Sequence, residues 1–110
     1  MAVAEGLWGS EAEYLDAANA RAQELGMSSS VFRSVHGLPP DRGGLPDETT
    51  ARDMALLGRE CVRHAQVLEW TRTERFQFRP ENAPNLSTNK LLKMMPECDG
   101  LKTGYINAAG

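Results

Sequence analysis

Residues 98–110 read CDGLKTGYINAAG. The short apolar stretch from Gly100 to Ile106 predicts a strand. Within it Lys102 and Thr103 set an ammonium and a hydroxyl one residue apart, a pair that can hold a carboxylate. Gly104 keeps the strand surface bare, so that a substrate backbone can lie along it. A tripeptide recurs by chance, however, and its meaning rests on the residues that precede it.

Those residues are organised. AVAEGLW, residues 2–8, is apolar and alanine-rich without a cap in front of it, and reads as the last turns of a helix. Ser10 with Glu13 forms a capping box, after which Tyr14, Leu15, Ala18, Ala22 and Leu25 recur at helical spacing and Gly26 offers a left-handed stop. This predicts a helix over residues 10–25. From Met27 to Glu48 the glycines and prolines enforce a long loop in which Val31, Phe32 and Val35 anchor a short extended piece; loops of this length carry function or cover something. Thr50 with Asp53 repeats the capping pattern, and Met54, Leu57, Gly58, Cys61, Ala65 and Leu68 follow at three-to-four spacing, which predicts a second helix over residues 50–64. Arg75 to Arg79 alternates with period two and predicts a half-buried strand. Residues 80–84 turn the chain, and NKLLKMM forms a short helical or turn segment. The sum is an α+β chain, helices plus an incomplete antiparallel sheet.

Composition narrows the classes. The chain has 110 residues, 41% hydrophobic and 25% charged, with a net charge of -3. Nothing basic enough for nucleic acid is present. No apolar run approaches the roughly 20 residues that span a bilayer, and the first ten residues lack the basic and apolar regions of an export signal. Cys61 and Cys98 stand far apart and outside any Cys-x-x-Cys spacing, which indicates free thiols and neither a metal site nor a disulfide.

Three further features compete for attention. Ser87-Thr88-Asn89-Lys90 matches both Ser-x-x-Lys and Ser-x-Asn, patterns of serine acyltransferases. One serine cannot be both the nucleophile and the separate proton-handling group, so the match reads as coincidence. His36, beside Gly37 in the long loop, is a candidate for lining a cleft, whereas His64 near a helix end reads as structural. Trp8, Trp70, Phe76 and Phe78 read as core, and Glu11, Glu13, Asp16 and Glu24 as a solvated helix face.

Taken in order, AVAEGLWGSEAEYLDAANARAQELGM, VFRSVHGLPP, TTARDMALLGRECVRH, ERFQFRPE, NKLL and DGLKTGYINAAG resemble the D-alanyl-D-alanine carboxypeptidases, the low-molecular-mass penicillin-binding proteins among the serine peptidases. The resemblance covers essentially the whole chain and implies part of a β-lactamase/transpeptidase-like domain. In that family three motifs build the active site: Ser-x-x-Lys with the acylated serine, Ser-x-Asn, and Lys-Thr-Gly on a strand lining the cleft. By resemblance the first two lie upstream of Met1, and STNKLL aligns with an asparagine-rich segment before the third. Some members carry an arginine just before that segment, where this sequence has Pro84 and uncharged neighbours.

The resemblance implies roles position by position. Lys102, the one residue assigned a catalytic part, adds positive potential that favours proton transfer at the nucleophile. Lys102 and Thr103 bind the terminal carboxylate of a peptidoglycan stem peptide ending in D-Ala-D-Ala, or of a β-lactam antibiotic. Gly104 leaves room for the acyl chain, the backbone N–H of Tyr105 serves as an oxyanion-hole donor, and His36 contacts the stem peptide. No metal or cofactor is implied. The full enzyme would sit in the periplasm or at the outer face of the cytoplasmic membrane, meeting the membrane through parts other than this chain. Without the nucleophile this chain alone is expected to be inactive. Two alternatives stand beside that reading: a noncatalytic interaction module on the same scaffold, and a β-lactamase relative, against which the TARDMALL and HGLP blocks speak.

Overall fold

Capping chemistry sets the first two helices. The computed structural model describes residues 2–40 and 43–105, which fall into two units meeting in sequence at Arg59 and Glu60. In the first unit α1 (Ala2–Trp8) ends where the Gly9 N–H donates to the Glu5 carbonyl. Gly9 then takes φ 83°. Ser10 caps α2 (Glu11–Glu24), accepting from the Glu13 N–H at 3.2 Å. Its own hydroxyl donates to Glu13 Oε2 at 3.1 Å. At the other end Gly26, at φ 80°, lets its N–H reach the Gln23 carbonyl and the Met27 N–H reach the Ala22 carbonyl. That pair of bonds is a complete Schellman stop, and it buries Met27 and Ala22 as the centre of this unit's small core. α1 packs on α2, and Trp8 meets Tyr14 edge to face with ring centroids 5.2 Å apart.

The long loop is closed rather than open. Val31 and Glu48 exchange both backbone hydrogen bonds, at 2.9 and 3.0 Å, as an isolated antiparallel bridge. Asn19 of α2 clasps Phe32 from both sides: its Oδ1 accepts the Phe32 N–H and its Nδ2 donates to the Phe32 carbonyl, each at 2.8 Å. The short extended piece expected around Val31, Phe32 and Val35 is thus present at Val31, bridged to Glu48, and at Phe32, held by the Asn19 amide, while Val35 lies in a bend.

α3 (Ala51–Cys61) opens with the Thr50 hydroxyl accepting the Asp53 N–H at 3.1 Å, as the capping pattern requires. It stops three residues short of the expected His64. The Arg63 and His64 N–H groups bond back to the Glu60 and Cys61 carbonyls, a tighter i→i−3 closure. His64, extended at φ -103° and ψ 105°, then becomes the N-cap of α4 (Ala65–Thr71), a helix that the pattern of spacings did not separate from its predecessor.

In the second unit the sheet is smaller than expected. Among the described residues β1 (Arg75–Phe76) pairs antiparallel with β2 (Asn85–Leu86), Arg75 facing Leu86 and Phe76 facing Asn85. The strand expected over residues 75–79 is cut at Phe76. Gln77 turns the chain, its Nε2 donating to the Arg79, Pro80 and Asn82 carbonyls. Nor is the strand half-buried, since both of its residues are exposed. α5 (Leu91–Met94) follows, with Leu92 buried. The helices with this small sheet make the chain α+β.

Two sequence expectations need correction. The segment from Gly100 to Tyr105 is irregular and carries no strand, and Ile106 lies outside the described residues. The Gly100 carbonyl is taken by the Asn89 and Cys98 side chains, and among the described residues no ladder partner pairs with the segment, so the apolar stretch is present without the pairing that defines a strand. The aromatic residues expected in the core are exposed: Trp8 41%, Trp70 66%, Phe76 59% and Phe78 71%. Among the described residues the buried apolar side chains are small or few, Ala4, Ala22, Met27 and Leu92, too little core for these four large aromatics. Among the described residues no helix is long and apolar enough to cross a membrane.

Candidate functional site

The Lys-Thr-Gly segment sits in the second unit, on the edge of a groove of about 490 Å³. Trp70 and Thr71 of α4, Phe76, Leu86, Leu101 and Lys102 line it. Hydrogen bonds from three neighbours hold the segment. The Thr71 hydroxyl donates to the Asp99 carbonyl at 2.5 Å, and Asn89 Nδ2 donates to the Gly100 carbonyl at 3.1 Å. Thr88 Oγ1 lies 2.6 Å from Thr103 Oγ1. The Cys98 thiol adds a weak bond to the same Gly100 carbonyl, at 3.4 Å. A side chain at Gly100 would not fit: φ there is 148°, and a Cβ would fall 2.5 Å from Thr71 Oγ1.

Within this frame the expected site residues are placed as follows. Lys102 is exposed and its ammonium donates to the Thr103 carbonyl. Thr103 is half-buried, with its hydroxyl against Thr88. Gly104 is open, since a Cβ there would meet only the Lys102 ammonium, at 3.9 Å. Tyr105 is 74% exposed. The four lie together because they are consecutive and because the Asp99 and Gly100 carbonyls before them are tied down. An ammonium and a hydroxyl beside a bare backbone form an anion-accepting edge with two kinds of donor.

His36 belongs to the first unit. It is exposed on a groove of about 350 Å³ whose walls include Glu11, Arg33, Pro39, Leu45 and Asp47. Its Nδ1 accepts the Leu38 N–H at 3.0 Å, which places the proton of the neutral ring on Nε2. The turn that carries it hangs on Asp47. One carboxylate oxygen accepts the Arg33 and Ser34 N–H groups at 2.6 and 2.9 Å, and the other accepts the Ser34 hydroxyl at 2.9 Å. The Ser34 oxygen in turn accepts the Gly37 N–H at 2.9 Å. The Arg33 guanidinium reaches the Pro46 carbonyl and lies 3.1 Å from the Glu48 carboxylate.

The residues that support both regions were noticed in the sequence for other reasons. Asn89, inside the STNK string, is 7% exposed. Its Nδ2 is taken by the Gly100 carbonyl and its Oδ1 by the Leu91 N–H, so it does structural work at the start of α5. Asp53, 1% exposed, does more than begin a helix. One of its oxygens accepts both the Ser29 N–H and the Ser30 hydroxyl at 2.8 Å. The capping pattern was a signal for Asp53, but it pointed to the helix start and not to the loop. Both cysteines are free and half-buried, and His64 Nε2 lies 3.5 Å from Glu60 Oε1. Among the described residues no group of three His, Cys, Asp or Glu side chains gathers into a metal site.

The family model of the D-alanyl-D-alanine carboxypeptidases matches residues 1–110. The D-alanyl-D-alanine carboxypeptidase DacF of Bacillus subtilis is 33% identical over 113 aligned residues, covering 99% of this chain and 28% of that protein. DacC of Escherichia coli is 35% identical, covering 100% of this chain and 26% of that protein. The chain thus spans little more than a quarter of the curated relatives it matches. Among solved structures, a penicillin-binding protein of Listeria monocytogenes in its ampicillin-bound form is 37% identical with a TM-score of 0.76, over 90% of this chain and 40% of that one. A D-alanyl-D-alanine carboxypeptidase from Mycobacterium tuberculosis is 26% identical with a TM-score of 0.80, over 94% of this chain and 39% of that one. The α+β fold is therefore shared with penicillin-binding proteins. With its full length matched and its Lys-Thr-Gly segment held at a groove edge, the chain belongs to the D-alanyl-D-alanine carboxypeptidase family.

Proposed function

We propose that this chain forms one wall of the acyl-transfer cleft of a serine-type D-Ala-D-Ala carboxypeptidase. The observation that carries the reading is the edge built by Lys102, Thr103 and Gly104, an exposed ammonium and a positioned hydroxyl next to open backbone. Such an edge takes the terminal carboxylate of a peptidoglycan stem peptide ending in D-Ala-D-Ala through charge-assisted hydrogen bonds. A β-lactam presents a carboxylate of the same kind, and one relative, penicillin-binding protein D2 of Listeria monocytogenes, has been solved with cefotaxime and with ampicillin bound. The Lys102 charge also favours proton transfer at the attacking serine. The Tyr105 N–H serves as one oxyanion donor, a contribution worth about 3 kcal/mol in comparable enzymes. The complete reaction acylates a serine, releases D-alanine and hydrolyses the acyl-enzyme with water. It belongs to the extracytoplasmic face of the cell membrane, where peptidoglycan is trimmed.

In this sequence the one serine with a Ser-x-x-Lys spacing is Ser87. The asparagine of the same string is spent on backbone groups. The chain by itself accordingly binds without reacting. Ampicillin added to the isotope-labelled chain should shift amide signals at residues 102–105 and add no mass to the protein. A stable covalent adduct would overturn the inactivity. Shifts scattered over the chain, or none, would overturn the placement of the site.

A further inference from the structure

We propose that Thr88 is a positioning residue for carboxylate recognition: its hydroxyl donates to Thr103 Oγ1 and leaves the Thr103 proton for the ligand. This deepens the carboxylate-binding reading above and rests on it. The two oxygens lie 2.6 Å apart, a full hydroxyl–hydroxyl hydrogen bond in which either could donate. Each hydroxyl has one proton, and a carboxylate only accepts. Once a carboxylate sits against Lys102 and Thr103, the Thr103 proton must point at it. The bond to Thr88 can then survive only with Thr88 as donor. In that order the pair forms a chain of two bonds running in one direction, in which each polarises the next.

Thr88 is built to hold that order. Both of its neighbours are fixed: the Ser87 N–H donates to the Glu74 carbonyl at 2.8 Å, and the buried Asn89 donates to the Gly100 carbonyl. The Asn89 N–H also donates to Ser87 Oγ at 3.2 Å, so the backbone turns tightly around Thr88. A threonine side chain has a restricted χ1, which keeps the hydroxyl aimed at a small cost in entropy. The same network that sets the height of the Lys-Thr-Gly segment therefore sets the direction of one of its protons. A neutral amide terminus can accept from Thr103 through its carbonyl or donate to it through its NH2, so it binds with either direction of the Thr88–Thr103 bond and depends less on this order. The effect of Thr88 is accordingly larger for carboxylates, which can only accept.

The test compares peptides ending in D-Ala-D-Ala as the free carboxylate and as the C-terminal amide, titrated into the labelled 110-residue chain and its variants. Wild type should prefer the carboxylate. Thr88→Val should weaken carboxylate binding about fivefold, as expected for one hydrogen bond, with the amide weakened less. Thr88→Ser should recover to within about twofold, because the donor returns. In a Thr103→Val background Thr88→Val should have no further effect. Carboxylate affinity unchanged in Thr88→Val, or not restored in Thr88→Ser, would overturn the role of Thr88 while leaving the carboxylate site intact. A wild-type chain indifferent to carboxylate and amide would overturn the site itself, and the role of Thr88 with it. Thr88→Ala provides a second truncation at this exposed position should valine disturb the fold, and the same outcomes apply to it.

Discussion

Two irregular segments carry the candidate site residues, and they are held by different chemistry. The loop of residues 27–50, which bears His36, is tied by carboxylates: Asp53 accepts from Ser29 and Ser30, and Asp47 accepts from Arg33 and Ser34. The segment of residues 98–105, which bears Lys102, is tied by neutral donors, Thr71, Asn89 and Thr88. Hydrogen bonds to an ionised acceptor are about twice as strong as neutral ones. Burial widens the gap, since Asp53 is 1% exposed whereas Thr88 is open to water. The loop is thus locked, while the Lys-Thr-Gly segment is aligned by weaker contacts. A binding edge whose hydroxyl must reorient toward a ligand is served by that weaker hold.

The sharpest way to break this contrast is Asp53→Ala, which leaves the Ser29 N–H and the Ser30 hydroxyl without their acceptor. It should cost about 3 kcal/mol, read from the urea midpoint at unchanged slope, with amide protection lost first near Ser29 and Ser30. Asn89→Ala comes next, at about 2 kcal/mol, since a buried amide that serves two backbone groups is lost. Its amide shifts should concentrate at Leu91 and around Gly100. A larger loss for Asn89→Ala than for Asp53→Ala would reverse the ranking and with it the contrast. Thr71→Val should be smallest, about 1 kcal/mol or less, because Asp99 is exposed and water can serve its carbonyl. Its use is to sharpen the comparison: the shifts should stay within residues 98–103 and spare the loop.

Legibility in the sequence followed the range of the interactions. Ser10, Gly26 and Thr50 announced helix ends that the structure shows, because caps act across two to four residues. The break between α3 and α4 escaped notice, since apolar residues continue in helical register through Ala65 and Leu68 while the chain pauses at His64. The site was legible in part. Lys102, Thr103 and Gly104 stood out as a string, whereas Thr71, Thr88 and Asn89, which align it, bond to that segment across 11 to 28 positions and have no spacing of their own.

By itself the sequence determined the helix boundaries set by local caps, the α+β class, and the family, which the ordered blocks from AVAEGLW to DGLKTGY carried. Tertiary structure alone decided the rest: that residues 100–105 form no strand, that Trp8, Trp70, Phe76 and Phe78 lie at the surface, and that an asparagine resembling part of a catalytic motif is a brace. The physical reason is that periodicity reports which residues could share a face. Pairing and burial depend on which partners distant parts of the chain supply.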